Sequence, residues 1–370
     1  MAKYLSELFI GRYRGIKDLR LNELNCVNVI VGDNNSGKTS ILETICLLRA
    51  PFNFDNVLRT ARMRDVGVFT GPNLYANFLS IFPKNSDTQK IYIQSFGDTG
   101  EITLGIEGEE KSVLIEEKDV QGIPYSSRAI RMARVVGQET SAFMGRMFSS
   151  INSKSKEIDI RFTTYSKYIL SRSGHDVVMN IDYLSPISHV TENSFNNIVK
   201  NDMYKDICIQ LIRLFDSDIE DLVYIKDDNS SRAVEYIRSK KKGLMPLSTY
   251  GDGIKKVLSL ANGIIKASGG ILLIDEIDTS IHYKYYGEIF NFLIKAAMKW
   301  DVQIFITTHS LEAIDEILNT QNYDGKINER HDLINVITLK KDVEGDLKVR
   351  SMKGSEVYRN RELFGFEVRS

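Results

Sequence analysis

The sequence has few cysteines and almost no net charge, and each shortage excludes a class of protein. Its three cysteines, Cys26, Cys46 and Cys208, lie far apart without a CxxC pair, which argues against a zinc site and a disulfide framework. Lys plus Arg number 48 and Asp plus Glu 49, so no overall field directs the chain towards nucleic acid or an anionic membrane. A local basic patch is still compatible with this balance.

Long apolar runs are also missing. The amino-terminal residues contain no apolar stretch of signal-peptide length, and nowhere do roughly 18 apolar residues follow one another without a charge. The sequence has no internal repeat and no low-complexity block. We therefore expect a globular, cytoplasmic protein without a membrane partner, and 370 residues with 42% hydrophobic content supply a sizeable core.

The first third of the chain predicts strands around one helix. Residues 4–31 contain three short strands, and the third, CVNVIVG, is apolar throughout, which is typical of a strand buried on both faces. A glycine turn follows, and the next apolar residues share one face of a helix that ends before Pro51. In residues 88–116, short stretches of alternating apolar and polar residues are separated by Gly and Asp, which indicates antiparallel hairpins.

The remaining two thirds predict a helical insertion followed by a return to buried strands. Residues 125–245 are mostly polar with helical spacing, clearest in YKDICIQLIRLFDSDIEDLVYI, and predict an inserted helical lobe. Two apolar runs, 271–276 and 302–308, then flank a stretch of helical spacing. A last strand pair leads to a polar tail that we expect at the periphery.

The turn after the third strand fits the pattern GxxxxGK[ST] between a buried strand and the start of a helix. Its glycines allow successive backbone N–H groups to face phosphate oxygens, and the helix N-terminus adds its positive end. A turn that merely caps a helix is the weaker interpretation, because distal carboxylates complete the pattern. We predict that ATP is held by Gly32, Asn34, Asn35, Ser36, Gly37, Lys38, Thr39 and Ser40, with Lys38 on the β- and γ-phosphates.

Two adjacent acids end the strand ILLIDE, at the edge where ligands gather in open α/β sheets. Neighbouring desolvated carboxylates repel each other unless a cation compensates. We therefore predict that Thr39 and Asp275 hold Mg²⁺, a hard ion that takes one or two protein oxygens beside the phosphates, with Asp275 either bound to the ion directly or through a water. Glu276 is then left to orient or deprotonate the attacking water.

Two further segments carry weaker signals. His309 follows the next apolar strand and is expected on the same sheet edge as Glu276, where it would sense the γ-phosphate, although a lone His at a strand end is more often structural. The segment Ser248–Gly253 precedes an amphipathic helix and offers a second helix N-terminus suited to phosphate.

In this order the P-loop, STYGDG, ILLIDEID and TTHS resemble the ABC ATPases of the RecF, SMC and OLD kind. The opening FIGRYRGIKDLRL, followed by VNVIVGDNNSGKTSILE and later DEIDTSIH, is most similar to the OLD-type ATPases of prokaryotic defence systems. The likeness covers mainly residues 4–50 and 245–315.

The resemblance implies a head-to-tail dimer, or a higher oligomer, in which each ATP lies between one subunit's P-loop and the other's signature segment. It assigns Gly37, Lys38 and Thr39 to Walker A, Asp275 and Glu276 to Walker B, His309 to the switch and 278–282 to the D-loop. The signature contacts would be Ser248, Thr249 and Gly251; Tyr250 replaces the usual first glycine, and either Ser248 or Thr249 supplies the hydroxyl. Three glutamines, Gln89, Gln94 and Gln138, are undistinguished candidates for the Q-loop.

The predicted fold is therefore an α/β ABC-type P-loop NTPase with an antiparallel β sublayer and an inserted helical lobe. Residues 1–125 form the first half of the ATPase domain, 126–244 the lobe and 245–370 the second half. By resemblance to PARIS-type and RloB-partnered systems, the chain would be a slow switch that controls a separate effector protein. The alternatives are a RecF-like clamp on duplex DNA, with Arg12, Arg14, Lys17 and Arg20 in its groove, and an ATP-gated scaffold.

Overall fold

The computed structural model describes residues 3–65, 73–84, 89–120, 136–166, 177–192, 195–226, 233–321, 323, 332–342, 345–365 and 367–368. Within them the chain forms two six-stranded sheets and one three-stranded sheet. Parts of the predicted lobe, residues 126–135, 167–176, 193–194 and 227–232, lie outside the described residues.

One six-stranded sheet is parallel except for a single strand at its edge. Its spatial order is β15 (Leu347–Lys353), β14 (Ile334–Lys341), β3 (Val27–Gly32), β13 (Val302–Thr307), β12 (Gly270–Ile274) and β8 (Ile181–Leu184). Only β15 runs antiparallel to its neighbour. The strands β3, β13 and β12 are therefore adjacent, and the turns at their carboxyl ends meet at one edge of the sheet.

This sheet is buried on both faces, which explains its unbroken apolar strands. Every residue of β3, β12 and β13 is buried. Alternate residues pack into two separate cores: Val29, Leu272 and Ile304 face one of them, and Ile30 and Leu273 face the other. Strands covered on both sides lose the usual alternation of polar and apolar residues, so the sequence correctly predicts buried strands here.

The second six-stranded sheet is antiparallel throughout and covers one face of the first. Its order is β2 (Ile16–Leu21), β1 (Glu7–Tyr13), β4 (Gln89–Gly97), β5 (Gly100–Leu114), β6 (Glu139–Ile151) and β7 (Lys154–Thr163). The predicted hairpin at 88–116 is confirmed as the pair of β4 and β5. A small antiparallel sheet contains β9 (Ile219–Lys226), β10 (Ala233–Ser239) and β11 (Gly243–Pro246).

Nine α-helices occur among the described residues, numbered here in chain order. They are α1 (Lys38–Leu47), α2 (Phe54–Ala61), α3 (Leu74–Leu79), α4 (Ser188–Thr191), α5 (Asp202–Ile212), α6 (Asp252–Lys266), α7 (Tyr286–Lys299), α8 (Leu311–Asn319) and α9 (Gly354–Phe364). The face of α1 predicted from Ile41, Leu42, Ile45 and Leu48 is fully buried. It packs between the parallel sheet and the antiparallel sheet.

The prediction of a mainly helical lobe at 126–244 is wrong for the described residues. More of them lie in strands β6 to β11 than in helices, and the longest helix is α5. In β7 exposed charged residues occupy the first half of the strand, which removes the clean alternation that identifies a half-buried strand. In YKDICIQLIRLFDSDIEDLVYI only the first half is helical, and the rest is strand β9.

The carboxyl-terminal tail is also more integrated than predicted. It contains α9, whose Val357 is fully buried, and Val368 is 1% exposed. The backbone carbonyl of Val368 accepts a hydrogen bond of 2.8 Å from Thr338 Oγ1 on β14. The tail therefore packs on the parallel sheet instead of lying at the periphery.

Candidate functional site

The turn between β3 and α1 has the backbone of a phosphate-binding loop. Gly32 has φ 144° and Gly37, the residue before the helix, has φ 93°, conformations that favour glycine. Asn35 also has a positive φ, 62°. A Cβ at Gly32 would collide with the carbonyl oxygen of Leu339 and approach Ser36 Oγ to 3.0 Å, so only glycine fits there. The first N–H groups of α1 have no partner within the helix and remain available to an anion.

Lys38 lies across this turn. Its Nζ donates hydrogen bonds of 2.8 Å to the carbonyl oxygens of Gly32 and Asp33. Burial lowers the pKa of Lys38, although Asp275 and Glu276 oppose that effect with their negative charge. The ammonium group is therefore held at the mouth of the turn by weak carbonyl acceptors that a phosphate can replace.

The two acids predicted at the end of β12 lie beside the turn. Asp275 is 4% exposed, and its Oδ2 accepts a hydrogen bond of 2.9 Å from Thr39 Oγ1 at the start of α1. Its Oδ1 accepts one of 2.5 Å from Thr307 Oγ1 at the end of β13. Residues 39 and 275, separated by 236 positions, thus meet as one cluster of oxygens.

Glu276 leaves the sheet in a different direction. Its φ is 49°, in the left-handed region, and its side chain is exposed while that of Asp275 is buried. The backbone N–H donates to Thr307 Oγ1 at 2.8 Å, and Glu276 Oε2 accepts from Thr279 Oγ1 at 3.3 Å. The positive φ turns the second carboxylate away from the first, so one is fixed among hydroxyl groups and the other faces solvent.

The predicted D-loop and switch segments are brought together. Thr308 Oγ1 donates a hydrogen bond of 2.6 Å to Asp278 Oδ1. The next residue, His309, is 55% exposed, and its Nδ1 lies 3.9 Å from Asp278 Oδ2. His309 is therefore at the same edge of the sheet as Glu276, as the strand pattern predicts, and its role there stays a prediction.

The segment predicted as a signature starts α6 but does not join the P-loop of its own chain. Among the described residues, no hydrogen bond or ion pair links Ser248, Thr249 or Gly251 to residues 32–40. Thr249 Oγ1 donates to the carbonyl oxygen of Pro246 at 2.7 Å, while Ser248 is exposed. The hydroxyl of Ser248 is thus the more available of the two.

Similar folds and sequences occur among known proteins. The SMC head domain of Thermotoga maritima shares 14% identity over 94% of this chain and 98% of its own, with a TM-score of 0.44. The Smc head domain of Pyrococcus furiosus shares 10% identity over 98% of this chain and 100% of its own, with a TM-score of 0.48. An ATP/GTP phosphatase of Helicobacter pylori is 18% identical over 85% of this chain and 88% of its own. The DNA replication and repair protein RecF of Geotalea daltonii is 21% identical, and the match covers 87% of this chain and 99% of RecF.

A family description matches residues 145–315: "AAA domain, putative AbiEii toxin, Type IV TA system". The match includes the signature segment, both acids of β12 and His309, while the P-loop precedes it. The chain has the α/β fold of a P-loop ATPase, because the phosphate-binding turn and the two acids converge at the carboxyl edge of one parallel sheet.

The ATPase domain contains a buried lysine that the motifs do not predict. Lys256, on α6, is 2% exposed, and its Nζ donates to the backbone carbonyl of Glu276 at 3.4 Å. Burial lowers the pKa of Lys256 to about 8, against the attraction of Asp278, Asp275 and Glu276. Helix α6 is therefore tied to the turn of Glu276 by a buried ammonium group whose charge is partly compensated by the nearby carboxylates.

Substituting Lys256 by methionine is expected to stabilise the ATPase domain at pH 7. The lowered pKa corresponds to about 3 kcal/mol of unfavourable burial, and apolar replacement of buried charged groups often gains about 1–4 kcal/mol. Between pH 8 and 10.5 the unfolded chain holds the proton that the folded lysine loses, so wild-type stability rises with pH and the gain shrinks. Urea unfolding of both proteins from pH 7 to 10 measures this difference.

Lys241→Met serves as the matched control for Lys256→Met. The Lys241 side chain is 79% exposed and pairs with Asp218 on the surface. Its substitution removes the same charge without relieving burial, and the urea midpoint should not change. A Lys256→Met variant that is less stable than wild type at pH 7 would contradict the assignment of an unfavourable buried ammonium.

A second charged cluster lies around Glu43, on the helix α1 that follows the phosphate-binding turn. Glu43 is fully buried on α1 and accepts hydrogen bonds from both Arg14 and Arg64. Arg64 also donates to Ser40 Oγ at 2.9 Å. Ser40, predicted to bind nucleotide, therefore has its hydroxyl engaged away from the turn in this structure.

The structure describes the surroundings of the three glutamines proposed for the Q-loop. Gln89 and Gln94 lie on β4, and Gln138 directly precedes β6, so all three belong to the antiparallel sheet. β12 lies between β13 and the edge strand β8, and β8 ends at Leu184 without a glutamine.

No helix within the described residues is long and apolar enough to cross a membrane.

Proposed function

We propose that this chain binds ATP with Mg²⁺ and hydrolyses it, and that two copies close head to tail around the nucleotide. The observation that carries the proposal is the hydrogen bond of 2.9 Å between Thr39 Oγ1 and Asp275 Oδ2. It joins the end of the phosphate-binding turn to the Walker B carboxylate. A triphosphate in the turn would thus have a hydroxyl and a carboxylate oxygen directly beside it.

The residues of the turn fit a triphosphate and its magnesium ion. Ser36 Oγ is buried without a hydrogen-bond partner, and the positive φ of Gly32 and Gly37 gives the turn the shape of a phosphate-binding loop. No group of three or more His, Cys, Asp or Glu side chains that would hold a metal ion occurs in the described residues, which agrees with a site of one hydroxyl and one carboxylate completed by phosphates. Bound Mg²⁺ supplies charge neutralisation at the phosphates.

Each residue then has one defined task. Lys38 exchanges its carbonyl acceptors for phosphate oxygens, and Asp275 fixes the side of the site opposite the turn. Glu276, exposed and 3.3 Å from the Thr279 hydroxyl, accepts a proton from the attacking water. His309 follows β13, the strand between β3 and β12, and would contact the terminal phosphate from there.

The position of the predicted signature segment supports the proposed dimer. Ser248, Thr249 and Gly251 are exposed at the start of α6 and make no hydrogen bond to the P-loop of the same chain among the described residues. A second copy, related by a twofold axis, would place its own signature segment on this nucleotide and receive the same contact in return. The dimer therefore contains two equivalent nucleotide sites.

The cellular role that we propose is regulation of a separate effector in phage defence. The matched family description includes a putative AbiEii toxin of a toxin–antitoxin system, and the motif order resembles OLD-type ATPases. ATP-driven closure would hold the effector and opening would release it. Bacteria carrying the gene with its neighbours should resist phage, and loss of resistance in the Lys38→Ala strain tests this role.

The biochemical proposal is tested directly on the purified chain. Light scattering after size exclusion should give monomer without nucleotide and dimer with Mg²⁺ and a non-hydrolysable ATP analogue. Phosphate release should depend on both ATP and Mg²⁺. Failure to bind labelled ATP at any protein concentration would refute the proposal.

A DNA clamp is the second candidate, favoured by the likeness to RecF over 87% of this chain. The structure removes one of the four basic residues predicted for its groove, because the guanidinium of Arg14 is bound by Glu43 at 2.7 Å. Arg20 lies over the ring of Phe9, 4.9 Å from its centroid. Titration of duplex DNA at low and high salt, with and without ATP, discriminates: no binding at low salt eliminates the clamp.

A further inference from the structure

One tyrosine outside all the motifs contacts the Walker B aspartate. Tyr183 lies on β8, the edge strand that pairs in parallel with β12. The register places Tyr183 opposite Leu273, two residues before Asp275 on the same face of the sheet. From there its hydroxyl donates to Asp275 Oδ2 at 3.2 Å.

Three hydroxyl groups from three separate elements thus surround one carboxylate. Thr39 on α1 and Tyr183 on β8 share Oδ2, and Thr307 on β13 binds Oδ1. An ionised carboxylate only accepts hydrogen bonds, so each of the three hydroxyl groups is the donor. Thr39 and Thr307 belong to segments already assigned to the nucleotide site, and Tyr183 does not.

The phenol is suited to hold the carboxylate in place. Its ring packs against the second hydrophobic core, which includes Leu273 and Phe305, so the hydroxyl is presented from a rigid support. Asp275 itself is 4% exposed, and water cannot easily replace a lost donor at such a site. Mg²⁺ requires near-ideal geometry from its few protein ligands, and partners that orient those ligands contribute strongly to affinity.

We infer that Tyr183 is a positioning residue that orients the Asp275 carboxylate for the divalent cation of the nucleotide site. The inference rests on the proposed function, because it assigns Tyr183 a role towards the Mg²⁺ that accompanies ATP. Tyr183 is expected to affect only the magnesium-dependent part of nucleotide affinity. Among the described residues, it makes no hydrogen bond to Lys38 or to the backbone N–H groups of the phosphate-binding turn.

The test is a magnesium titration of nucleotide binding by the Tyr183→Phe variant. A fluorescent ATP analogue is bound to wild type and variant, first in EDTA and then with increasing Mg²⁺. Loss of an outer partner of a metal ligand typically costs about tenfold or more in metal affinity, so the Mg²⁺ concentration at half-effect should rise about tenfold. Affinity in EDTA should stay within about twofold, because the P-loop is unchanged.

The control variant is Tyr224→Phe. Tyr224 also donates to a carboxylate, Glu235 Oε1 at 2.7 Å, but on the small sheet of β9 and β10. Its loss removes the same type of hydrogen bond and should leave the magnesium titration unchanged, and melting curves establish that both variants are folded. A Tyr183→Phe titration that coincides with wild type overturns this inference alone. A wild-type protein that binds no nucleotide in EDTA or Mg²⁺ overturns both the inference and the proposed function.

Discussion

Replacing Lys38 with alanine is expected to abolish ATP binding at micromolar protein concentration. The ammonium group is the positive side chain that lies across the phosphate-binding turn, bonded at 2.8 Å to the carbonyls of Gly32 and Asp33. Hydrogen bonds to charged groups contribute about 1.5–3 kcal/mol each, so losing the contacts to two phosphates weakens binding by more than about 100-fold. Isothermal titration with ATP and Mg²⁺ measures the change.

The helix and sheet should survive this substitution, which makes the result interpretable. Lys38 is half-exposed and donates only to backbone carbonyls that water can also satisfy. Lys154→Ala is the control, because Lys154 is exposed at the start of β7, at the edge of the antiparallel sheet opposite β2, and its substitution should leave ATP affinity unchanged. If Lys38→Ala binds ATP as wild type does, Lys38 does not contact the phosphates.

The position of this site could be predicted from the sequence because its parts are encoded locally. Gly32 and Gly37 adopt the positive φ that the turn requires, and the apolar strands before the turn and before Asp275 are buried on both faces. Strand ends in a parallel sheet meet at one edge, so motifs that follow such strands are predicted to be neighbours. The contact between Thr39 and Asp275 confirms that they are.

The supporting residues could not be predicted, because they depend on pairing between distant segments. Tyr183 reaches Asp275 across 92 positions, and only the register of β8 against β12 brings them together. Lys256 lies on a helix whose sequence is compatible with an exposed cation, yet packing buries it beside Glu276. No periodicity in the sequence distinguishes these two side chains from other tyrosines and lysines.

The strands between 139 and 163 illustrate a different failure. β6 pairs with both β5 and β7, and β6 and β7 each leave one face open to solvent over much of their length. Charged residues such as Lys156, Glu157 and Asp159 therefore occupy strand positions, and their spacing resembles a polar helix as much as an edge strand. Tertiary pairing overrides local preference in such segments.

Glu276→Gln is expected to retain ATP binding and to accumulate as an ATP-bound dimer. The amide has the size of the carboxylate and can keep the contact with Thr279, but it cannot accept a proton from the attacking water. Loss of a general base slows the chemical step by about 10²–10⁴-fold. Closed dimers then form at the same rate and open far more slowly. Single-turnover hydrolysis, followed by light scattering after size exclusion, measures both quantities.

The position of Glu276 makes this outcome specific to its side chain. The backbone of Glu276 carries the bonds that position the turn, from its N–H to Thr307 and from Lys256 to its carbonyl, and the substitution leaves both intact. The control is Glu288→Gln, which removes the same charge at an exposed position on α7. It should hydrolyse ATP at the wild-type rate, and its dimers should dissociate to monomers as those of wild type do.

Adding Lys38→Ala to Glu276→Gln should prevent dimerisation, since closure requires bound nucleotide. Normal turnover by Glu276→Gln would transfer the role of base to another residue at this edge, and His309 is then the first to substitute.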